Sequence, residues 1–451
     1  MKENYDRKEF FDLITGKSDK NPDKVRVTQP RKKSTAANAG GKTIRLGFVG
    51  IGGRGLFHLS AALGIEGVEV PAISEVKPVR LHDAKRFIEN AGFGSPRLYD
   101  RGPEDFRRMC EEEDLDAIIC STSWEWHAPV CLAAMRNNKH AVTEVPIVQT
   151  VDEAWELVET YEKTGKWASL ALQGFRELAV LNMIHKGLFG EIVHAENGYI
   201  HDLRKGKFTP DGEPWRLQHS LDRNGNLYPD HPMTRILPAL DINHGDRFDY
   251  LVSMSSNSTM LNDYAALNYG KDTLYAKAKV ALGDYNATLI RTVNGKMVTL
   301  NHDTSTPHPR EDYRLQGTKG IYLGGNKTGN RIYLEGISPQ NNPKQHNWES
   351  ADKYLEEYEH PIVKNYNPPP RRAGAQITGH GAGSQQTPMI WHRLITALRE
   401  NKMPDWDVYD SVTSSVISPL TEMSVAGKCR PVDFPDFTKG KWKTRPRITL
   451  V

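Results

Sequence analysis

The chain has 451 residues, 59 Lys and Arg against 56 Asp and Glu, 38% hydrophobic and 25% charged residues. This is an ordinary globular composition, long enough for two domains, and it excludes a wholly disordered chain. No apolar stretch nears the roughly 18–20 residues of a membrane span. Residues 1–44 hold 11 basic and 6 acidic side chains, so the formal +3 belongs to that segment and the remainder stands at −2, without the footprint that binding nucleic acid requires.

Residues 1–43 are polar and aperiodic and read as an arm. Order begins with the apolar strand Ile44–Val49, followed by Gly50-Ile-Gly-Gly-Arg-Gly55 and a helical pattern through Leu59, Ala62 and Leu63. The strand Val68–Ile73 ends on Ser74-Glu75, and a helix over Val79–Ala91 precedes the strand Ala117–Cys120. A helix over Pro129–Asn137, the strand His140–Thr143, a helix over Val151–Thr164 and the strand Trp167–Leu172 complete the alternation. Strands separated by helices of this length predict an α/β, doubly wound parallel sheet over residues 44–172.

The pattern then changes. A helix over Leu178–Lys186 leads to the alternating strand Ile192–Ile200, and the runs Leu274–Ala281, Ala287–Val293 and Met297–Asn301 follow with Val, Thr, Tyr and Leu. They predict a second α+β domain, 173–451, with an open, mostly antiparallel sheet. Two segments read as loops interrupting it, Trp215–His244 and the Pro/Gly-rich stretch from Asn367 through Gly383. A helix over Met389–Arg399 carries Ile390, Leu394, Ala397 and Leu398 on one face, which predicts packing on that second sheet. The basic residues Lys439, Lys441, Lys443, Arg445 and Arg447 alternate, as on a solvated extended edge. Cys110, Cys120, Cys131 and Cys429 show neither zinc-ligand nor disulfide-scaffold spacing, and no metal site is expected. The N-terminus lacks the apolar region of a secretory signal, so the chain as written reads as cytoplasmic, or as periplasmic or secreted if a leader has been removed.

A lone G-x-G-x-x-G is weak, but here it lies between a strand and a helix. Gly50 makes the tight turn, Gly52 lets a pyrophosphate approach the backbone, and Gly55 lets helix and strand pack closely; Gly53 and Arg54 share the loop. Glu75 closes the next strand, where a carboxylate bonds the ribose hydroxyls and repels a 2′-phosphate, so NAD is the expected cofactor. Two further segments fall at carboxyl ends of strands, where doubly wound folds bind ligands. These are Trp124-Glu-Trp-His127, with Trp126, and Glu144-Val145-Pro146. Alone, the aromatic residues would read as loop packing and Glu144 as a cap. Their shared location makes all of them cofactor-site candidates.

At these residues the chain resembles the superfamily of glucose–fructose oxidoreductase and inositol dehydrogenase. Within it the chain is similar to the NAD-dependent α-N-acetylgalactosaminidases. Further matching stretches are Ala179–Met183, Gly187–Glu191, His201–Arg204, Asn224–Pro229, Gly245–Ser256, Gln316–Gly320 and Asp407–Asp410. Sugar dehydrogenases of the superfamily carry Glu-Lys-Pro, whose lysine helps deprotonate the substrate hydroxyl; Val145 cannot. The hydrolase branch instead works through Tyr-x-x-His, here Tyr228-Pro-Asp-His231. The resemblance implies hydrolysis of a terminal sugar, in the nearest case α-N-acetylgalactosaminyl. Transient oxidation at C3 acidifies the C2 hydrogen, the C1 group is eliminated, water adds, and C3 is reduced again. It implies Tyr228 and His231 as the catalytic pair, Gln173 as a nicotinamide contact, and Tyr199, Arg216 and Tyr313 as substrate or ribose contacts. It also implies a homo-oligomer, because open sheets of this kind pair.

Three segments depart from the hydrolase pattern: Leu172-Gln-Gly-Phe-Arg176, Pro307-His-Pro-Arg310 and His380-Gly-Ala-Gly-Ser-Gln-Gln386. They leave the sugar open. Two other readings share the same residues, a glycoside 3-dehydrogenase that stops at the keto sugar and a non-catalytic protein that binds sugar or cofactor.

Overall fold

A computed structural model of the chain describes residues 42–171, 177–209, 212–309, 313–324, 329–339, 347–367 and 387–448. The expected arm, except Lys42 and Thr43, lies outside them, as do Gln173, most of the Pro/Gly-rich stretch and the departing segments around 172–176 and 380–386.

Six parallel strands form the first sheet: β1 (Ile44–Val49), β2 (Val68–Ser74), β3 (Arg97–Tyr99), β4 (Ala117–Cys120), β5 (His140–Thr143) and β6 (Ala168–Leu170), in the spatial order β3-β2-β1-β4-β5-β6. β1, β4 and β5 are almost wholly buried, as a sheet covered on both faces requires. The covering helices include Gly53–Leu63 and Val151–Thr164. In the latter, Thr150 accepts from the Glu153 amide while Glu153 reaches back, a reciprocal cap, and Gly165 ends it in the left-handed conformation.

The second sheet has nine strands. They are β7 (Ile192–Ile200), β8 (Phe248–Ser255), β9 (Asn286–Thr292), β10 (Met297–Asp303), β11 (Tyr313–Gly317), β12 (Gly320–Gly324), β13 (Arg331–Leu334), β14 (Glu349–Ser350) and β15 (Val432–Asp433). Their order is β14-β13-β12-β11-β7-β10-β9-β8-β15, and every neighbouring pair is antiparallel except β7 with β10. In β9 buried and exposed residues alternate strictly, so one face carries the core and the other stays open.

Four sequence expectations are corrected. The run Leu274–Ala281 is not a strand: Thr273 caps a short helix, Leu274–Lys277, and the Asn262 amide donates to the carbonyls of Tyr275 and Ala276 within it and of Ala278 just after it. The segment Trp215–His244 is not a loop but holds the helices Trp215–Asp222 and Asp230–Leu240. In the second, Met233, Ile236, Leu237 and Leu240 keep helical spacing, while Pro232 in its first turn and Pro238 inside it obscure the pattern.

The helix Thr387–Glu400 does not pack on the second sheet. Its Trp391, Leu394, Ile395 and Leu398 join Phe48, Leu59, Leu63 and Trp167 in the core of the first. An apolar helical face is sticky in the same way towards either core, so its period cannot name the partner. Nor is the basic C-terminal run an extended edge. It turns through a 3₁₀ segment, Lys441–Lys443, and docks by charge: the Lys439 and Lys441 ammoniums lie 2.7 and 2.8 Å from Glu162, and Arg445 lies 2.7 Å from Asp407. These two lysines hold the Glu162 carboxyl down at about 2.

A wholly buried helix, Val408–Ser415, seams the two sheets. The Ser415 hydroxyl accepts from the Ile147 amide at 3.0 Å, just past β5, and donates to Asp230 at 2.5 Å. The end of the first sheet is thereby fixed against the start of the Asp230–Leu240 helix.

Candidate active site

The glycine loop follows β1. Gly50 has φ 81°, and a Cβ there would lie 2.8 Å from the Ser121 carbonyl oxygen, so only glycine turns here. At Gly55 a Cβ would come within 2.0 Å of the Gly50 carbonyl oxygen, which lets the helix start directly against the loop. Gly52 is different. It is the N-cap of the Gly53–Leu63 helix, with no side chain capping the helix, and a Cβ there would meet only the Arg80 guanidinium, at 3.3 Å. The first-turn amides, Gly53 and Arg54 among them, thus form an open cradle of the kind that takes a diphosphate. Glu75 follows β2 directly; its Oε2 accepts from the Ile51 amide at 2.7 Å and its Oε1 from the Lys77 amide at 2.9 Å. It braces the loop from the position expected for a ribose-binding carboxylate, so these residues fit a dinucleotide.

At the end of β5, Glu144 is buried, and its Oε1 accepts from Arg54 Nε at 2.8 Å and lies 2.6 Å from His58 Nε2. Burial pushes the Glu144 carboxyl up, but the Arg54 charge and the His58 hydrogen bond outweigh it and hold it well below the usual carboxylate range. Burial lowers His58 in turn. Arg54 and Glu144, expected as separate cofactor contacts, are therefore tied to each other. His58 was missed, though it sits four residues after Arg54 on the same helical face. Val145 is buried before a cis Val145–Pro146 bond.

His127 and Trp126, expected beside the cofactor, are both engaged within the protein. His127 is a buried strut, its ring nitrogens 2.7 Å from the Pro146 carbonyl oxygen and 3.1 Å from that of Thr122, so it joins the loops after β4 and β5. Trp126 packs edge-on to Phe106, 6.1 Å between centroids, against a buried apolar cluster that includes residues of both sheets.

Trp124 crosses to the second sheet. Its ring stacks on Tyr228 at 5.4 Å and 21°, with His219 at 4.7 Å and Trp215 at 5.0 Å. The Arg216 guanidinium lies 4.9 Å from the Tyr228 ring centroid, 5.2 Å from Trp124 and 4.5 Å from Trp215, and pairs with Glu213 at 2.5 Å. Tyr199, on β7, meets Tyr228 edge-on at 4.3 Å and lies parallel to His231 at 5.0 Å; Tyr228 and His231 are 4.9 Å apart. Pro229 caps the Asp230–Leu240 helix, and this turn brings Tyr228 and His231 together. Burial, opposed by Arg216, pushes the Tyr228 phenol well above its usual range, so it stays protonated. Burial and the charges of Arg223 and Arg216 lower His219 to about 4.

Of the expected residues, Trp124, Tyr199, Arg216, Tyr228 and His231 are thus brought together. Tyr313 is not in this group. It is buried on β11 beneath the Arg235 guanidinium, 5.6 Å from its ring centroid, and beside Tyr322. His219 and Trp215 were missed because their segment read as a loop. The assembled group offers an aromatic wall, a half-buried cation, a protonated phenol and an imidazole at the end of the glycine-loop sheet. That set can hold a polyhydroxylated ring and move protons on it. No group of His, Cys, Asp or Glu suited to a metal ion occurs among the described residues, and no helix among them is long and apolar enough to cross a membrane.

Residues 44–172 match the family model for an oxidoreductase family with an NAD-binding Rossmann fold, and residues 175–444 match that for the C-terminal domain of glycosyl hydrolase 109. A glycosyl hydrolase family 109 protein of Shewanella pealeana is 37% identical over 416 residues, 91% of this chain and 88% of the relative. One of Solibacter usitatus is 38% identical over 413 residues, 90% and 91% of the two chains. Among solved structures, levoglucosan dehydrogenase in complex with NADH and levoglucosan aligns with TM-score 0.61 at 20% identity, over 87% of this chain and 100% of the other. The myo-inositol dehydrogenase of Lactobacillus casei with NAD(H) and myo-inositol gives 0.57 at 14%, over 87% and 97%. These likenesses show the fold.

Proposed function

The chain belongs to glycosyl hydrolase family 109, with an NAD-binding Rossmann fold, and from that premise we propose that it cleaves a glycoside by transient oxidation of the sugar at C3. The observation that supports this reading is that Val145, just past β5, has no side-chain proton to transfer, while Tyr228 and His231, which can transfer one, lie 4.9 Å apart with Tyr228 stacked on Trp124 from the loop after β4. When bound along the Gly50–Gly55 loop, NAD supplies a reversible acceptor for the C3 hydride. The residues do the rest. Trp124 and Tyr199 bound the sugar on two sides, Arg216 orients it, and the Tyr228 hydroxyl holds a proton at an oxygen of the ring. His231 accepts the C2 proton once C3 is a ketone and returns one when water has added at C1. Residues 44–172 form the cofactor unit and 173–451 the sugar unit in this reading.

Turnover of nitrophenyl α- and β-glycosides in D₂O should place deuterium at C2 of the released sugar, with no added NAD once the cofactor is bound. His231→Ala should abolish release of nitrophenol while NAD stays bound. Hydrolysis without exchange at C2 would refute the mechanism. A glycoside 3-dehydrogenase is the second reading, favoured by the likeness to levoglucosan dehydrogenase; net NADH formation at 340 nm without nitrophenol would select it. The open face of the second sheet shows Met254, Leu289 and Met297 at 63%, 44% and 43% exposure. We take it as the face through which copies of the chain pair, and Leu289→Asp should then lower the mass seen by light scattering.

A further inference from the structure

A second cluster of buried polar groups lies beside the sugar site and takes no part in the steps above. His302, on β10, is the register partner of Tyr199 on the adjacent parallel strand β7, so the two side chains share a sheet face. Lys207 comes from the short helix Arg204–Phe208, and its ammonium donates to Thr304 Oγ1 at 2.9 Å, just past the end of β10. Lys207, His302 and Ser305 are exposed by only 2%, 2% and 0%.

The cluster is short of partners. His302 Nδ1 and Ser305 Oγ are buried without a hydrogen-bond partner among the described residues. No carboxylate among those residues lies in ion-pair contact with Lys207, although three are near enough to be felt. Each of these is committed elsewhere. Asp303 accepts from the Ser305 and Thr306 amides, both at 2.9 Å, and from the Thr306 hydroxyl. Asp284 accepts from the amides of Thr259 and Met260 and from the Thr259 hydroxyl. Asp202 pairs with Arg204. Burial, with the Arg216 charge, pushes Lys207 down to about 7, and burial, with Lys207 and Arg216, pushes His302 down to about 3. An ammonium with no ion partner in an interior is costly unless something supplies the opposite charge.

We propose that Lys207, His302 and Ser305 form a subsite for an anionic substituent of the substrate, a carboxylate or a sulfate ester carried on the sugar held against Tyr199. The inference rests on the reading that the Tyr199–Tyr228–His231 group holds a sugar. Lys207 neutralises the charge, Ser305 donates its hydroxyl, and His302 donates from whichever nitrogen carries its proton. The substrate class is then an acidic glycoside, and an uncharged sugar leaves the ammonium unpaired.

The test compares nitrophenyl hexosides with their 6-carboxylates and 6-sulfates. The native protein should favour one anionic series by about 10- to 100-fold in kcat/KM, the effect of a charge-assisted hydrogen bond in a dry site. The carboxylate and sulfate arms identify which anion it is. Lys207→Met should bring the ratio near one, and Ser305→Ala should lower it part of the way, with NAD binding reporting that each variant is folded. An equal or greater rate on neutral or N-acetylated hexosides, or a preference that survives Lys207→Met, overturns the proposal. Binding of methyl hexuronide against methyl hexoside, read by tryptophan fluorescence, separates it from the parent reading. Lys207-dependent preference without exchange at C2 would refute only the oxidative hydrolysis, and binding without preference would refute only the subsite.

Discussion

Gly52 and Gly55 make opposite demands on the same loop, and alanine at each should separate folding from cofactor binding. At Gly55 the added Cβ would sit 2.0 Å from the Gly50 carbonyl oxygen, against an ordinary carbon–oxygen contact of about 3.3 Å. The helix and loop must therefore part by roughly 1.3 Å. Overpacking of that kind costs about 1–3 kcal/mol, and the amides that meet the diphosphate move with the helix. At Gly52 the backbone has φ −70°, open to any L-residue, and the nearest atom is the mobile end of Arg80 at 3.3 Å. Gly52→Ala should lose only the N-cap difference, about 0.5–1 kcal/mol, yet its methyl stands where the diphosphate must come close. Loss of one charge-assisted contact weakens binding about 10- to 100-fold. The assays are a urea unfolding curve for each variant without cofactor and an NADH fluorescence titration. Gly52→Ala binding NADH as tightly as the native protein, or unfolding as readily as Gly55→Ala, would refute this account of the loop.

Asp230, fully buried, is pushed up to about 6 by burial, against the hydrogen bonds from Ser415 and Ser414. The folded state therefore binds this proton more tightly than the unfolded chain, so its contribution is present at low pH and lost as pH rises through about 6. Stability of the native protein minus that of Asp230→Asn should fall by on the order of 3 kcal/mol between pH 4 and pH 7; a flat difference curve would contradict it. Trp391→Ala should cost about 3–5 kcal/mol and speed hydrogen exchange in Gly53–Leu63 and β1 before β8–β10; the reverse order would place the Thr387–Glu400 helix elsewhere. Glu144→Ala leaves Arg54 and His58 without their shared acceptor and should cost about 1–3 kcal/mol, discounted because Arg54 is 30% exposed. An unchanged thermal midpoint would mean the triad is incidental.

The parallel sheet was legible because each of its signals is local. Ile44–Val49 is a continuous apolar run, Gly50, Gly52 and Gly55 answer to backbone geometry within one turn, and Thr150 with Glu153 caps a helix three residues apart. That Tyr228 and His231 lie near each other was legible for a similar reason, since three residues separate them along the chain. The short helix after Thr273 was hidden by residues that suit a strand as well, and the Asp230–Leu240 helix by its own prolines.

What the chain order alone could not decide is which surfaces meet. The apolar face of Thr387–Glu400 has the same period whichever sheet it covers, and the choice depends on Trp391, Leu394 and Leu398 fitting the particular hollow left by Phe48, Leu59 and Trp167. Arg54, His58 and Glu144 are 90 and 86 residues from sharing an acceptor, and Lys207 stands 97 residues from Thr304. Charges pair by distance in space, so Arg54 and His58 can hold Glu144 down, and burial can push Lys207 down, only once the chain has closed around them.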